Sequence, residues 1–220
     1  MKRILIVSVN NSLGGAEQYL KMLAENYLDQ KVDLVFFRKV SSNNWLELEK
    51  NKKFNLLFLN NFSEFFGAGL FLLYCFFKRN SRYDYIFTSH VLTTSIVGLL
   101  LNLKLIKAKS FVGRESTTVF IRFKGYKLVV YKALYNLGYK TLDLLICQTD
   151  GMRINLIENL PWLENLTKVE TIPNPIDLNK IGFLTEEDYP LPEQFGDYIV
   201  SAGRLIDEKG FDILIESFGI

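Results

Sequence analysis

The sequence predicts an α/β protein organised on a doubly wound, Rossmann-like parallel β-sheet. Two observations carry this. Short runs rich in Val, Ile, Leu and Phe recur along the chain with mostly helix-length stretches between them, and the first run ends in a glycine turn that opens a helical pattern. A third observation bounds the class: 220 residues that are 49% hydrophobic and 23% charged, without a low-complexity tract, suffice to cover a sheet on both faces.

Taken in order, Arg3 to Val9 is a nearly continuous apolar run, the pattern of a parallel strand with both faces covered. Asn10-Asn11-Ser12-Leu13-Gly14-Gly15 follows it, and a helical pattern starts at Ala16-Glu17. Further strands are expected at Val32 to Phe37, Asn55 to Leu59, Tyr85 to Thr88, Ser110 to Gly113, Leu142 to Gln148 and Val169 to Ile172. The most apolar stretch, Phe65 to Phe77, falls short of the ~18–20 residues a spanning helix needs. It closes on Lys78-Arg79 and reads as a buried or an interfacial helix.

Pro173-Asn174-Pro175 ends regular structure, and a polar, proline-containing segment follows. The expected division is a first domain over 1–182, a linker over 183–196, and over 197–220 the opening of a second, incomplete Rossmann-like domain. In that tail Tyr198 to Gly203 reads as a strand and Gly210 to Phe218 as a helix. One strand and one helix cannot bury their own apolar faces, so the tail is expected to dock on the first domain or on a second copy, giving a homodimer.

Several function classes are excluded at this level. A net charge of +2 gives no basis for a nucleic-acid partner. Cys75 and Cys147 both lie inside apolar runs and read as small buried hydrophobes rather than disulfide partners or metal ligands. The short apolar start gives way to polar Asn10-Asn11, unlike a secretory leader, so a cytoplasmic location is expected. The glycine turn is neither G-x-G-x-x-G nor a P-loop, which disfavours a dinucleotide-dependent epimerase or reductase and an NTPase. No D-x-D triplet is present to bridge a metal to a diphosphate.

In open α/β sheets ligands collect beyond the carboxyl ends of the strands, where the strand order reverses. Four polar clusters are expected on that rim: Asn10 to Gly15, Ser89-His90, Arg114 to Thr117, and Thr149-Asp150. Gly14 and Gly15 allow close backbone approach at a helix start and suit a phosphate or a sugar hydroxyl. His90, the only histidine, follows a strand end and is the candidate polar group beside a reacting carbon. Asn11, Arg114 and Glu115 are candidates for contact with an acceptor. In the tail Arg204 and Lys209, flanked by Gly203 and Gly210, form a candidate diphosphate clamp.

In this order the motifs resemble those of the GT-B glycosyltransferases of family 4. The resemblance rests on Gly14-Gly15-Ala16-Glu17, Ser89-His90, Asn174-Pro175-Ile176-Asp177, and Ser201-Ala202-Gly203-Arg204-Leu205 followed by Lys209-Gly210-Phe211, and so runs the length of the chain. It implies transfer of a sugar from a nucleotide-diphosphate sugar to a saccharide or lipid-linked acceptor in surface polysaccharide or glycolipid assembly. It further implies no cofactor, no metal, and retained anomeric configuration. Arg204 and Lys209 would neutralise the departing diphosphate, Gly14 and Gly15 would face the donor phosphate or the acceptor, and His90 would contact the transferred sugar. The family continues into a full donor-binding domain with two spaced acidic residues. Without it, this polypeptide alone is expected to show little turnover.

Between Phe120 and Lys132 aromatics alternate with Arg122, Lys124, Lys127 and Lys132, and no acid intervenes. Such a segment suits peripheral contact with an anionic membrane face, and also suits an ordinary crossover helix with a wet basic side. A second class remains open: a non-catalytic module that binds a glycan, a lipid carrier or a partner subunit.

Overall fold

In a computed structural model, the structure describes residues 1–78, 80–178, 181–182, 199–203 and 205–219. The linker expected over 183–196 and Arg204 lie outside the described residues. The chain divides into two units, Met1–Pro175 and Ile176–Ile220, the break falling at the end of the Pro-Asn-Pro segment.

The first unit is a seven-stranded, all-parallel sheet in the order β3-β2-β1-β4-β5-β6-β7. Its strands are β1 (Arg3–Asn10), β2 (Lys31–Arg38), β3 (Phe54–Phe58), β4 (Ser81–Thr88), β5 (Ile106–Arg114), β6 (Leu144–Cys147) and β7 (Lys168–Thr171). Between them run helices α1 (Gly15–Glu25), α2 (Leu46–Glu49), α3 (Glu64–Phe77), α4 (Val91–Asn102), α5 (Val119–Arg122), α6 (Gly125–Gly138) and α7 (Asp150–Asn159). All seven expected strands form. The topology reverses between β1 and β4, whose register pairs Val7 with Thr88, so the loops leaving these two strands open a crevice at their carboxyl ends.

Successive residues of a strand face opposite sides, and β1 shows what that requires of the sequence. Leu5 and Val7 join a core with Phe37, Phe71, Ile86 and Val97, whereas Ile4 and Ile6 join a second core with Leu20, Leu34, Phe36 and Trp45. All four β1 side chains are at most 1% exposed, so each contributes roughly 1.5–3 kcal/mol of apolar burial. Only an uninterrupted apolar run can serve both faces at once. Cys75 and Cys147 lie in the first of these cores as free thiols, each pushed up to about 12 by burial.

Helix α3 is one-sided rather than wholly buried. Ser63 caps it, its hydroxyl accepting from the Phe66 amide at 3.1 Å, and Gly67, Ala68, Phe71 and Cys75 face the core. Phe65, Phe66, Leu73, Phe76 and Phe77 remain exposed. Helices α4 and α6 meet backbone to backbone: a Cβ on Gly98 would lie 2.0 Å from the Gly138 carbonyl oxygen, and one on Gly138 would lie 2.3 Å from that of Ser95. The Ser95 hydroxyl donates across this contact to Leu134 O at 2.7 Å. No other residue pair would let these helices approach so closely.

In the second unit Asp207–Lys209 forms a 3₁₀ turn and Phe211–Ser217 a short helix, α8. The strand expected from Tyr198 to Gly203 is not formed over the described residues 199–203. A parallel strand exists only when a neighbour accepts its backbone hydrogen bonds, and these residues have no ladder partner among the described residues.

Candidate functional site

The crevice at the β1/β4 reversal is built from the segments that follow β1, β4 and β5. Glycine-rich sequence after β1 brings α1 in close: Gly14 is the N-cap residue, and Glu17 stands at the third helical position, where a carboxylate reaches back to the helix start. A Cβ on Gly14 would lie 2.7 Å from Glu17 Oε2, so the glycine makes the space that this carboxylate occupies. The other oxygen, Oε1, lies 3.0 Å from His90 Nε2. His90 is the N-cap residue of α4, and its Nδ1 lies 3.3 Å from the hydroxyl of Ser116, in the loop after β5. Three segments distant in sequence thus meet on one imidazole.

The electrostatics of the trio are set by burial and pairing together. Burial pushes the Glu17 carboxyl up, but the hydrogen bond from His90, with backbone hydrogen bonds at Glu17 and Gly14, outweighs it, and the net direction is below the usual carboxylate value. An ionised Glu17 therefore already occupies the amino end of α1. Gly15 is exposed and a Cβ there would touch nothing.

Arg114 and Glu115 leave the end of β5 toward opposite faces of the sheet. Arg114 stacks over the Tyr19 ring of α1 at 4.6 Å, and its guanidinium donates to Ser89 Oγ at 2.9 Å and to Asn174 Oδ1. Asn174 in turn donates to Gln148, and Gln148 to the Glu115 carbonyl oxygen. Burial lowers the Arg114 pKa, and Tyr19, Glu115 and Glu17 counter it. The Glu115 carboxylate turns inward, accepting from Tyr139 at 2.6 Å and Tyr135 at 3.0 Å on the α6 side. Burial pushes its pKa up to about 7 against those hydroxyls and against the charge of Arg114.

These positions revise three acceptor-contact expectations. Asn11 is 2% exposed, and its side chain is spent on the loop, donating to Val40 O and Ser42 and accepting from the Val40 amide. Arg114 and Glu115 are each 2% exposed. All three brace the rim from beneath, because the polar groups that would meet a ligand are already paired inside the protein. Thr149 and Asp150 serve locally, the first capping α7 and the second accepting from Thr171.

Over His90 and Ser116 opens a cleft of about 960 Å³, walled by the start of α3 at Glu64 and Phe65 and by α5 and α6 at Val119, Arg122, Phe123, Tyr126, Lys127 and Tyr131. The basic-aromatic segment forms its outer wall: Ile121, Tyr126 and Val129 are 64%, 82% and 63% exposed, among Arg122, Lys124, Lys127 and Lys132. Lys132 lies over the Phe120 ring and Arg122 over Phe123. Among the described residues no helix is long and apolar enough to cross a membrane. Lys209 is exposed at the end of the 3₁₀ turn in the second unit.

Sequence reasoning brought His90 to the rim but assigned no role to Glu17, Tyr19 or Ser116. The available signal was a glutamate three residues after a helix-opening glycine, the spacing of a reciprocal cap. Tyr135 and Tyr139 read only as aromatic helix positions, since the four-residue spacing that aims both at Glu115 is also that of any buried stripe.

No protein-family model matches the sequence, and no curated protein matches it. Among solved structures, that of Anabaena Alr3699/HepE in complex with UDP and glucose is similar at a TM-score of 0.57 and 20% identity, over 81% of this chain and 46% of that one. The chain thus spans less than half the length of that relative. At this identity the likeness establishes the fold: an α/β, Rossmann-like parallel sheet with flanking helices, shared with a protein solved with a nucleotide and a sugar.

Proposed function

We propose that this chain supplies the acceptor-side domain of a GT-B glycosyltransferase resembling family 4, which moves a sugar from a nucleotide-diphosphate donor to a saccharide or lipid-linked acceptor. The observation that carries the reading is the cleft at the β1/β4 reversal with His90 held at its floor between Glu17 and Ser116. A cleft of about 960 Å³ lies within the ~300–1,000 Å³ span of small-molecule sites and accommodates a sugar with part of its carrier. The similar structure with UDP and glucose supports a nucleotide sugar as the co-substrate class.

In this reading the acceptor hydroxyl enters the cleft and attacks the anomeric carbon. The bond from that carbon to the diphosphate oxygen breaks, and the diphosphate departs with the electron pair and takes up the proton the hydroxyl loses. Arg204 and Lys209 neutralise the charge that develops there, and the anomeric configuration is retained. The transfer needs no metal. The basic-aromatic wall of α5 and α6 rests on the inner face of an anionic membrane and lets a lipid-linked acceptor enter from its edge.

The test is transfer of labelled sugar from a panel of nucleotide sugars to membrane lipid extract, using protein expressed from the whole reading frame. The expected result is transfer from one donor class, unaffected by EDTA and reduced at least tenfold in His90→Ala. Absence of transfer from every donor, or full activity in His90→Ala, contradicts the reading.

A further inference from the structure

We infer that Glu17 is a positioning residue that holds the His90 imidazole as its Nε2–H tautomer, so that the Nδ1 lone pair accepts a hydrogen bond from a neutral hydroxyl on the Ser116 side of the cleft. A carboxylate only accepts, and Glu17 Oε1 lies 3.0 Å from Nε2, so that nitrogen is the one that donates. The other ring nitrogen of a neutral imidazole is then an acceptor. It faces Ser116 Oγ at 3.3 Å, longer than the ~2.7–3.0 Å of a well-formed hydroxyl hydrogen bond, and both residues line the cleft. A ligand hydroxyl has room to take the place of this loose contact.

The chemistry of that position discriminates between ligands. A phosphate oxygen brings lone pairs and negative charge toward an unprotonated nitrogen, with the Glu17 carboxylate immediately behind it, whereas a sugar hydroxyl brings a proton. The Glu17 carboxylate already occupies the amino end of α1, the place where an anion would otherwise be drawn. The hydroxyl-bearing part of the substrate therefore sits at His90 and the phosphate lies elsewhere. Naming that hydroxyl as belonging to the sugar chemistry of the transfer rests on the proposed function; the tautomer itself does not.

Because His90 is the only histidine of the 220 residues, long-range proton–nitrogen correlation of its imidazole gives one unambiguous set of signals. In mildly alkaline solution the wild-type chain is expected to show a protonated Nε2 and an unprotonated Nδ1. In Glu17→Gln, whose amide can donate or accept, the separation between the two nitrogen shifts is expected to shrink as the tautomers mix. Gly14→Ala, which displaces the same carboxylate, is the second variant should Glu17→Gln not fold. Ser116→Ala is expected to move the Nδ1 signal and leave Nε2 in place, and inorganic phosphate is expected to leave Nδ1 unmoved. A wild-type ring protonated on Nδ1 or on both nitrogens overturns the inference. So does an unchanged separation in the folded Glu17 or Gly14 variant, or a shift of Nδ1 on adding phosphate. No nucleotide sugar enters the experiment, so its outcome is independent of whether transfer is found.

Discussion

Glu115 sits in an environment that a carboxylate avoids, 2% exposed beneath two tyrosine hydroxyls. Its carboxyl ordinarily releases its proton near 4.5, and burial raises this to about 7 in the folded chain despite the hydrogen bonds from Tyr139 and Tyr135. Between those values the folded state holds more protons than the unfolded one, so stability falls as pH rises through the window and the full contribution is present only below it. A shift of that size corresponds to on the order of 3 kcal/mol. Urea unfolding across this range is expected to show the wild-type midpoint dropping with pH and the Glu115→Gln midpoint holding nearly level; parallel pH dependences would contradict the assignment. The neighbour of Glu115 in sequence, Arg114, serves the other face of the sheet through Tyr19, Ser89 and Asn174. Sequence alone shows two charges at a strand end and cannot show which has a partner on which face, because the side-chain partners lie 20 or more positions away.

At the scale of elements, the backbone contact between α4 and α6 sets where the tyrosines and the cleft wall stand. Gly138→Ala would drive a methyl group against the Ser95 carbonyl, and overpacking of this kind typically costs about 1–3 kcal/mol. Thermal unfolding should show that loss, and a melting temperature equal to wild type would mean the helices can separate without cost. The outer side of α5 and α6 carries the membrane reading. Each lysine well placed on an anionic surface adds ~1 kcal/mol, so Lys124→Glu, Lys127→Glu and Lys132→Glu combined should abolish flotation with anionic vesicles. Equal flotation of variant and wild type would reduce the segment to an ordinary crossover helix. What sequence could show was the alternation of aromatic and basic residues. It could not show that Phe123 and Lys124 separate two helices, since α6 opens on a left-handed backbone at Gly125, with φ of 57°.

For the whole molecule, the architecture was legible because a buried parallel strand must be apolar on both faces, as β1 is, and because shorter runs, down to edge strand β7 with Val169 its one apolar residue, recur along the chain. The rim was legible too, since strand ends are. Its contents were less so. Asn11, Arg114 and Glu115 have the chemistry of ligand contacts and the surroundings of structural braces, and only three-dimensional partners distinguish the two. The strand anticipated after the linker failed for a related reason: apolar character is necessary for a strand, but a neighbour is what completes it.

The central claim is that a sugar binds in the cleft above His90. It is tested most directly by mapping backbone amide shifts of the isotope-labelled chain during titration with a panel of soluble glycosides. Saturable shifts clustered at His90, Ser116, Phe123 and Tyr126, weakened in His90→Ala, are the predicted result. Shifts confined to the opposite ends of the strands, or no saturable shift with any glycoside, would contradict it.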